Sequence, residues 1–524
     1  MSEKILNSVI AVDVGSRQVR AGLFDLDGVL LHSAVSPVAL AQHGALMATY
    51  CMAGIWQSVG EVVRQCARHA EEAGRAVTGL AFDATSSLYV DLPGSPLGDG
   101  QGDIIGWMDQ RAQDEAVEIN RRNHAYLAYF DGSISPEIHL PKILWLKRNH
   151  PEAFTGFGAF RDVCDELARR TTGEDLRSAS AFVCKWPFVP DQPSPWCSDL
   201  LNELGFDSSD ETAFSPDQVR PLGSVHGRVT REAASHLGLN EGTIIAVGAI
   251  DAEAGALGNI GRDFEAIIGR ALLVTGGTST NFMAFSRDKF QVPGVWGPFL
   301  DAVLPGQWMH EGGQSLSGGA LDAVLTQHPA GPGARGGENH QNAAKDCLAM
   351  LDEEGSSFAA QRHVVPDWLG NRSPLNDSRI RAIMTGIGQD LDYQSFLESY
   401  YATARGLVMQ MRQVIEHFNR HGYQINRVHL SGGHRLNPLL LRLYADSFDG
   451  DVLVSKVPEP VLSGTAMIAA VAAGHYPSLL AAANHMADEM VVVEKDDRHA
   501  ERLRRDYEIY LKLFEVQREI SAVS

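Results

Sequence analysis

The chain opens as short apolar runs cut by polar turns. Val9 to Val12 is an apolar run ending at Asp13, and Gly15-Ser16-Arg17 reads as a turn. Val19 to Phe24 is a second run, Asp25-Leu26-Asp27-Gly28 a second turn, and Val29 to Ser33 a third strand. The pattern predicts a β-meander whose first turn carries Asp13, Gly15 and Ser16. Leu80 to Phe82 is a further strand, ending in Asp83-Ala84-Thr85-Ser86-Ser87; Ile104 to Met108 is another, followed by Asp109. Open α/β sheets place ligands at the carboxyl ends of strands, so Asp83 and Asp109 are candidates for ligand contact. The competing reading makes each the cap of a following helix.

Helical periodicity appears in PKILWLKRN, a buried amphipathic helix, and most strongly from Tyr400 to Arg420. There Leu407, Met411, Val414, Ile415 and Phe418 recur at three- and four-residue spacing, with Gly422 as C-cap. In SASAFVCKWPF, Lys185 lies between Cys184 and Trp186, an apolar setting for a charge that either snorkels to water or meets a ligand. Gly294 to Pro298 and Glu311 to Ser315 flank a short strand pair. His328 to His340, with four glycines and two prolines, predicts a surface loop, and WLGNRSP at 368–374 an ordered one. Val428 to Leu430 is a strand running into Ser431-Gly432-Gly433, and Asn437-Pro438 opens the next helix. Strand, paired glycines and helix N-terminus together shape an anion site, though a glycine pair alone is a weak sign. Gly464 to Gly474 is a small-residue helix fit for close packing, and the charged segment after Asp497 predicts a helix with a solvated face.

The stretch from Val247 to Thr280 gathers the chemistry. Asp251 is set among Gly248, Ala249, Ala252, Ala254 and Gly255, and the strand Ala271 to Val274 then breaks into Thr275-Gly276-Gly277-Thr278-Ser279. Backbone N–H groups and hydroxyls at such a turn suit an anion, and a carboxylate among small residues can be closely approached. A base beside a phosphate cradle is the equipment of phosphoryl transfer; the alternative for Asp251 is a helix N-cap. The opening stretch AVDVGSRQVRAGLFD also overlays LVTGGTSTNFMAFSR. Asp13 falls on Thr275, Gly15 on Gly277 and Ser16 on Thr278, an offset of half the chain's 524 residues. A repeat at half-length predicts two similar domains, 1–262 and 263–524, facing each other across a cleft.

A chain of 524 residues exceeds one hydrophobic core, in keeping with that division. The net charge of −21 argues against a nucleic-acid or anionic-membrane binder. Six scattered cysteines without a CxxC pair predict neither a disulfide framework nor a zinc site, and fit a cytoplasmic protein. No apolar run reaches membrane-spanning length.

With these stretches assembled, the chain resembles the FGGY carbohydrate kinases, within the actin/hexokinase superfamily. The likeness spans essentially the whole length. It is carried by the Asp13-Gly15-Ser16 turn, WMDQRA, GAIDAEAGALG, GGTST and LSGGHRLNP. FDATSSL, VCKWPF, PGVWGPF, EGGQS and WLGNRSP make it most similar to the ribulokinase-like pentulose kinases. The resemblance implies an α/β fold of two duplicated actin/hexokinase-like (ribonuclease H-like) domains with a cleft between them. The implied activity is ATP-dependent phosphorylation of a pentulose, D-ribulose before L-ribulose or D-xylulose. A non-catalytic nucleotide-binding scaffold on the same fold is the rival from another class. Asp251 would be the base and Asp13 a magnesium ligand. Gly15, Ser16, Gly276, Gly277, Thr278, Gly432, Gly433 and Asn437 would hold the nucleotide. Asp83, Lys185, Asp251 and Glu311 would hold the sugar. Sugar, ATP and Mg²⁺ are the expected ligands, with neither nucleic acid nor membrane as partner; a homodimer is the assembly considered. Two departures stand out: Ser16 where relatives commonly carry Thr, and the stretch Gln42 to Tyr50, which lacks their tryptophan and acidic residue.

Overall fold

The computed structural model describes residues 6–93, 97, 102–207, 216–456 and 459–523. The chain packs as two units. The first joins Met1–Ala266, Gly297–Met309 and Val457–Asp488; the second joins Ile267–Trp296, His310–Lys456 and Glu489–Ser524. The first cut lies close to residue 262, but the units are not contiguous halves, because the helix Pro460–Ala472 packs into the first.

The first unit is built on strands β1 (Leu6–Val14), β2 (Gln18–Asp25) and β3 (Leu30–Pro37), an antiparallel meander as the opening pattern predicts. β3 runs four residues beyond the expected end. Helix α1 (Met52–Glu72) packs on the sheet through Ile55, Val59, Val62, Val63 and Cys66, at helical spacing. β4 (Arg75–Ala84) then pairs parallel with β1. β5 (Val225–Arg228) and β6 (Ile244–Ala246) complete the order β5–β6–β4–β1–β2–β3. Val9 to Val12 on β1 have no exposed surface, because the strand is central and covered on both faces. The two residues Ala249–Ile250 pair parallel with the end of β4, and helix α2 (Asp251–Gly258) starts there.

The second unit repeats this plan. β7 (Ala271–Gly276) and β8 (Thr280–Ser286) form an antiparallel hairpin, and β9 (Trp308–Gln314) lies beside β8. Helices α3 (Gly318–Gln327), α4 (Gly337–Glu354) and α5 (Tyr393–Arg420) follow. β10 (Arg427–Gly432) pairs parallel with β7; β11 (Asp451–Val454) and β12 (Val491–Val492) complete β9–β8–β7–β10–β11–β12. Between β10 and β11 lies α6 (Pro438–Ser447), N-capped by Asn437, whose side-chain oxygen accepts from the N–H groups of Leu439 and Leu440. In both units a hairpin's first strand pairs parallel with a later strand, which pairs parallel with the next. The half-length overlay was therefore reading a repeated topology.

Four expectations need correction. The segment from His328 to His340 is not a loop throughout: α4 begins at Gly337, and His340 is on its first turn. Ile104 to Met108 is strand only at Ile104–Ile105. Asp109 caps no helix; it accepts from the Ala48 N–H and holds the Arg111 guanidinium at 2.8 Å. The last helix, α7 (Ala500–Val523), is more than a solvated face: Leu503, Tyr507, Tyr510 and Phe514 enter the second core. All six cysteines are free thiols.

α2 and the helix Pro460–Ala472 approach each other backbone to backbone. A Cβ on Gly464 would overlap the Ala254 carbonyl oxygen, and one on Gly258 the Pro460 carbonyl oxygen. Gly464→Val should therefore lower stability by about 1–3 kcal/mol or more in urea unfolding. Gly54→Ala, on α1 with open space around it, should be neutral or stabilising by up to about 1 kcal/mol. Equal midpoints for the two variants would remove the claim that this helix contact is limiting.

Candidate functional site

In the first unit the parallel register sets Asp13 of β1 directly beside Asp83 of β4, and Ala249 pairs with Asp83 from the other side. Two residues later Asp251 starts α2. Three carboxylates thus converge at the carboxyl ends of adjacent strands. Asp251 is half-buried, and its Oδ1 accepts from the Ala252 N–H at 2.7 Å. It occupies the first helical position and is not the N-cap, which is Ile250.

Asp83 has no exposed surface. Its Oδ2 accepts the Thr465 hydroxyl at 2.5 Å, while its Oδ1 is buried without a hydrogen-bond donor. Burial, then the charge on Asp13, holds its carboxyl well above the ordinary carboxylate range, with Asp251 adding to the rise. The sugar contact expected of Asp83 thus falls on a side chain that meets no solvent in this conformation. Asp13 carries a positive partner that the motif reading missed: the Arg20 guanidinium binds its Oδ2 through Nε at 2.8 Å and also pairs with Glu459. Arg20 is seven residues from Asp13 on the facing strand of the hairpin, so strand alternation was the signal that could have found it. Ser16, at the tip of the turn, accepts the indole N–H of Trp107 at 3.0 Å, and Gly15 closes the turn through the Gln18 carbonyl.

Lys185 ends the short helix Ala179–Lys185 and does not snorkel freely. Its Nζ is 3.1 Å from Glu137, and its side chain is 7% exposed. Trp186 beside it is fully buried and donates its indole N–H to Asp162 at 2.8 Å. Asp162 also accepts from Ser86 and meets His139, so one buried carboxylate ties the Asp83–Ser87 loop to the lysine segment. Lys142 nearby is fully buried on the Gly106 carbonyl, and burial pushes its amine down to about 8. Glu137, His139, Lys142 and Asp162 were not singled out from sequence, because nothing local in their spacing marks them.

In the second unit Glu311, on β9, is nearly buried and paired with Arg372 at 2.5 Å. The glycines expected to hold a nucleotide separate into two kinds. Gly276 and Gly432 are packing glycines: a Cβ on Gly276 would overlap the His434 ring, and Gly432 has φ +75° with its Cβ against the Gly276 carbonyl. Gly277 and Gly433 are open, with nearest atoms at 3.5 and 3.6 Å from an added Cβ, and both line a cavity of about 290 Å³. Thr278 and Asn437 line it too, along with three groups the sequence reading passed over: Gly318, Asp322 and His340. His340 bridges Asp322 at 3.1 Å and the Tyr400 hydroxyl at 2.9 Å, and Tyr400 in turn accepts from Asn437 at 3.0 Å. The polar wall is therefore fixed from α3, α4, α5 and the α6 cap together.

Comparison with known proteins decides what this arrangement belongs to. Residues 8–258 match the N-terminal domain, and residues 272–473 the C-terminal domain, of the FGGY family of carbohydrate kinases. The chain belongs to that family. It is 33% identical over 549 residues to the FGGY carbohydrate kinase domain-containing protein of Homo sapiens, covering 98% of this chain and 97% of that one. A D-ribulokinase of Saccharomyces cerevisiae is 30% identical over 511 residues, covering 88% of this chain and 71% of its own. Among solved structures, a xylulose kinase from Rhodospirillum rubrum superposes with a TM-score of 0.80 at 21% identity, over 98% of this chain and 100% of that chain. The chain is thus a carbohydrate kinase with the two-domain α/β fold of its family. Among the described residues, no helix is long and apolar enough to cross a membrane.

The split between packing and open glycines gives a clean test of the cavity. Gly433→Val and Gly277→Val should fold with near-normal midpoints and lose roughly tenfold or more in ADP affinity by calorimetry, since the new side chain has room only in the cavity. Gly432→Val should instead lose stability. Unchanged affinity in both open-glycine variants would move the nucleotide elsewhere.

Proposed function

We propose that this kinase transfers the γ-phosphoryl group of ATP to the terminal C5 hydroxyl of D-ribulose, with Asp251 as general base. The observation that carries the reading is the placement of Asp251. It is reachable, stands first on a helix of alanines and glycines, and shares the strand ends with Asp13 and Asp83. A primary hydroxyl is a poor nucleophile at neutral pH, and a carboxylate at hydrogen-bond distance accepts its proton as the bond to phosphorus forms. Lys185 and Glu311 supply a donor and an acceptor for the hydroxyls and carbonyl of an open-chain ketose. The 290 Å³ cavity with Gly277, Thr278, Gly433 and Asn437 suits the nucleotide.

Magnesium suits the same carboxylate edge. Asp13 and Asp83 offer hard oxygen donors, and the buried Asp83 Oδ1 has no donor of its own. Among the described residues no cluster of three or more acidic, histidine or cysteine side chains is disposed to hold a metal alone. Magnesium commonly takes one or two carboxylates plus substrate phosphates. Asp13 is the residue that would hold it. When bound, the ion neutralises charge that develops on the transferring phosphoryl group.

The VCKWPF and EGGQS stretches favour ribulose over xylulose, and the D-ribulokinase relative favours the D sugar. The competing sugars are L-ribulose and D-xylulose. Asp251→Asn should lose about two to four orders of magnitude in kcat while ADP affinity holds; near-normal turnover would return Asp251 to a helix-start role. D-ribulose should give the highest kcat/KM among D- and L-ribulose, D- and L-xylulose, ribitol and glycerol. Another sugar ahead by about tenfold, roughly 1.4 kcal/mol of transition-state preference, would overturn the assignment.

A further inference from the structure

Three stretches that mark the sequence have no role in the reading so far beyond Glu311: PGVWGPF, EGGQS and WLGNRSP. In the structure they meet at one side chain. Arg372, from WLGNRSP, places Nη2 2.5 Å from Glu311 Oε1 of EGGQS, and its guanidinium carbon lies 5.5 Å from the centre of the Trp296 ring of PGVWGPF. Asn281 on β8 donates to the same Glu311 oxygen at 3.2 Å.

The arrangement is built to hold that guanidinium in place. The arginine stem runs past Gly313, two residues from Glu311: a Cβ there would overlap the Thr280 carbonyl oxygen first, and would stand 3.3 Å from Arg372 Cδ and 3.4 Å from Nη1. On one side of the arginine, Asn371 donates to both oxygens of Asp367, and its side-chain oxygen accepts from the Leu375 N–H. On the other, the fully buried Ser373 accepts from the Gly313 N–H at 3.2 Å. A long, entropically costly side chain is thus fixed at both flanks, along its stem and at its head.

An ion pair serving the fold alone would saturate itself. This one does not. Both donors to Glu311 converge on Oε1, while Oε2 meets no protein donor among the described residues. The guanidinium uses one of its five N–H groups on Glu311, and the others meet no protein acceptor among the described residues. Arg372 is 28% exposed and Glu311 8%. An oriented acceptor next to an oriented planar donor is complementary to two neighbouring hydroxyls, one donating and one accepting.

We propose that Arg372 is a sugar-specificity residue: with Glu311 it reads a vicinal pair of hydroxyls on the open-chain sugar, against the face of Trp296. This rests on the reading above that Glu311 contacts the sugar. It adds a residue, and a ligand feature, that the reading did not contain. Lysine would not substitute, since a point-like ammonium keeps the charge but lacks the fork and the flat face that lies on the tryptophan.

The test is a cycle between side chain and hydroxyl. kcat/KM is measured for the wild type, Arg372→Met and Arg372→Lys on whichever sugar the wild type turns over best. The same is done on deoxy analogues of that sugar, each lacking one hydroxyl other than the one phosphorylated. The wild type should reject two analogues, those missing neighbouring hydroxyls, by about 10- to 100-fold. Arg372→Met should lose a similar factor on the full sugar and discriminate no longer between it and those two analogues, with ADP affinity unchanged. Arg372→Lys should hold the thermal midpoint yet also lose the discrimination; it decides the question if Arg372→Met does not fold. Equal losses on the full sugar and every analogue, or discrimination kept in Arg372→Lys, would reduce Arg372 to a structural ion pair and overturn the proposal. If the best sugar is not a pentulose, the D-ribulose assignment fails, while the cycle on that sugar still decides the role of Arg372.

Discussion

Asp251 begins a helix of only eight residues, too short to stay put by its own hydrogen bonds. What holds it is backbone contact. Gly258 lies against the Pro460 carbonyl and Gly464 against the Ala254 carbonyl, so α2 and the helix Pro460–Ala472 touch without side chains between them. Such close packing converts the position of one helix into the position of the other. The same second helix brings Thr465 to Asp83, and Glu459 just before it pairs with Arg20. A segment more than two hundred residues downstream thereby orders all three carboxylates of the first unit. It also explains why Val457–Asp488 belongs with that unit even though it lies late in the chain.

Bringing three carboxylates together has an electrostatic cost that the surroundings only partly offset. Arg20 answers Asp13, and Thr465 answers one oxygen of Asp83. The remaining Asp83 oxygen has no donor, and its carboxyl is held above the usual range by burial and by Asp13. A purely structural core would have removed such a group, since an uncompensated buried acid destabilises and a well-packed apolar residue does not. Perturbed buried acids of this kind cluster at functional sites.

Much of this was legible beforehand, for identifiable reasons. The opening meander, the long helix ending near Arg420 and the Asn437-Pro438 helix start are set by local rules of period, cap and turn, and each appears where the sequence places it. Asp13, Asp83 and Asp251 were each visible as strand-end or helix-start acids, but their convergence depends on parallel pairing between distant strands, which no window of sequence contains. Lys185 was visible as a charge in apolar surroundings; its partner Glu137 lies 48 residues earlier, without a local mark. His340 was hidden by its glycine-rich neighbours, which suit a loop until tertiary packing starts α4 at Gly337. The glycine motifs pick out four positions, and only the atoms around them separate Gly276 and Gly432, which pack, from Gly277 and Gly433, which open on the cavity.

The repeated topology lets the two units be compared position by position. In the first, the hairpin strand and its parallel neighbour set Asp13 beside Asp83; in the second, the same register sets Thr275 beside Ser431. The two hydroxyls lie 3.2 Å apart and satisfy each other, needing no counter-charge. The two acids can do so only when one of them holds a proton, and otherwise they require Arg20, Thr465 or a cation. One backbone plan thus presents a charged strand edge in one copy and a neutral, glycine-flanked one in the other. An acidic edge suits a proton acceptor and a hard cation, whereas an edge of hydroxyls and backbone N–H groups leaves a polyanion unrepelled. Divergence at this single register position is enough to give two otherwise similar folds strand edges of different electrostatic character.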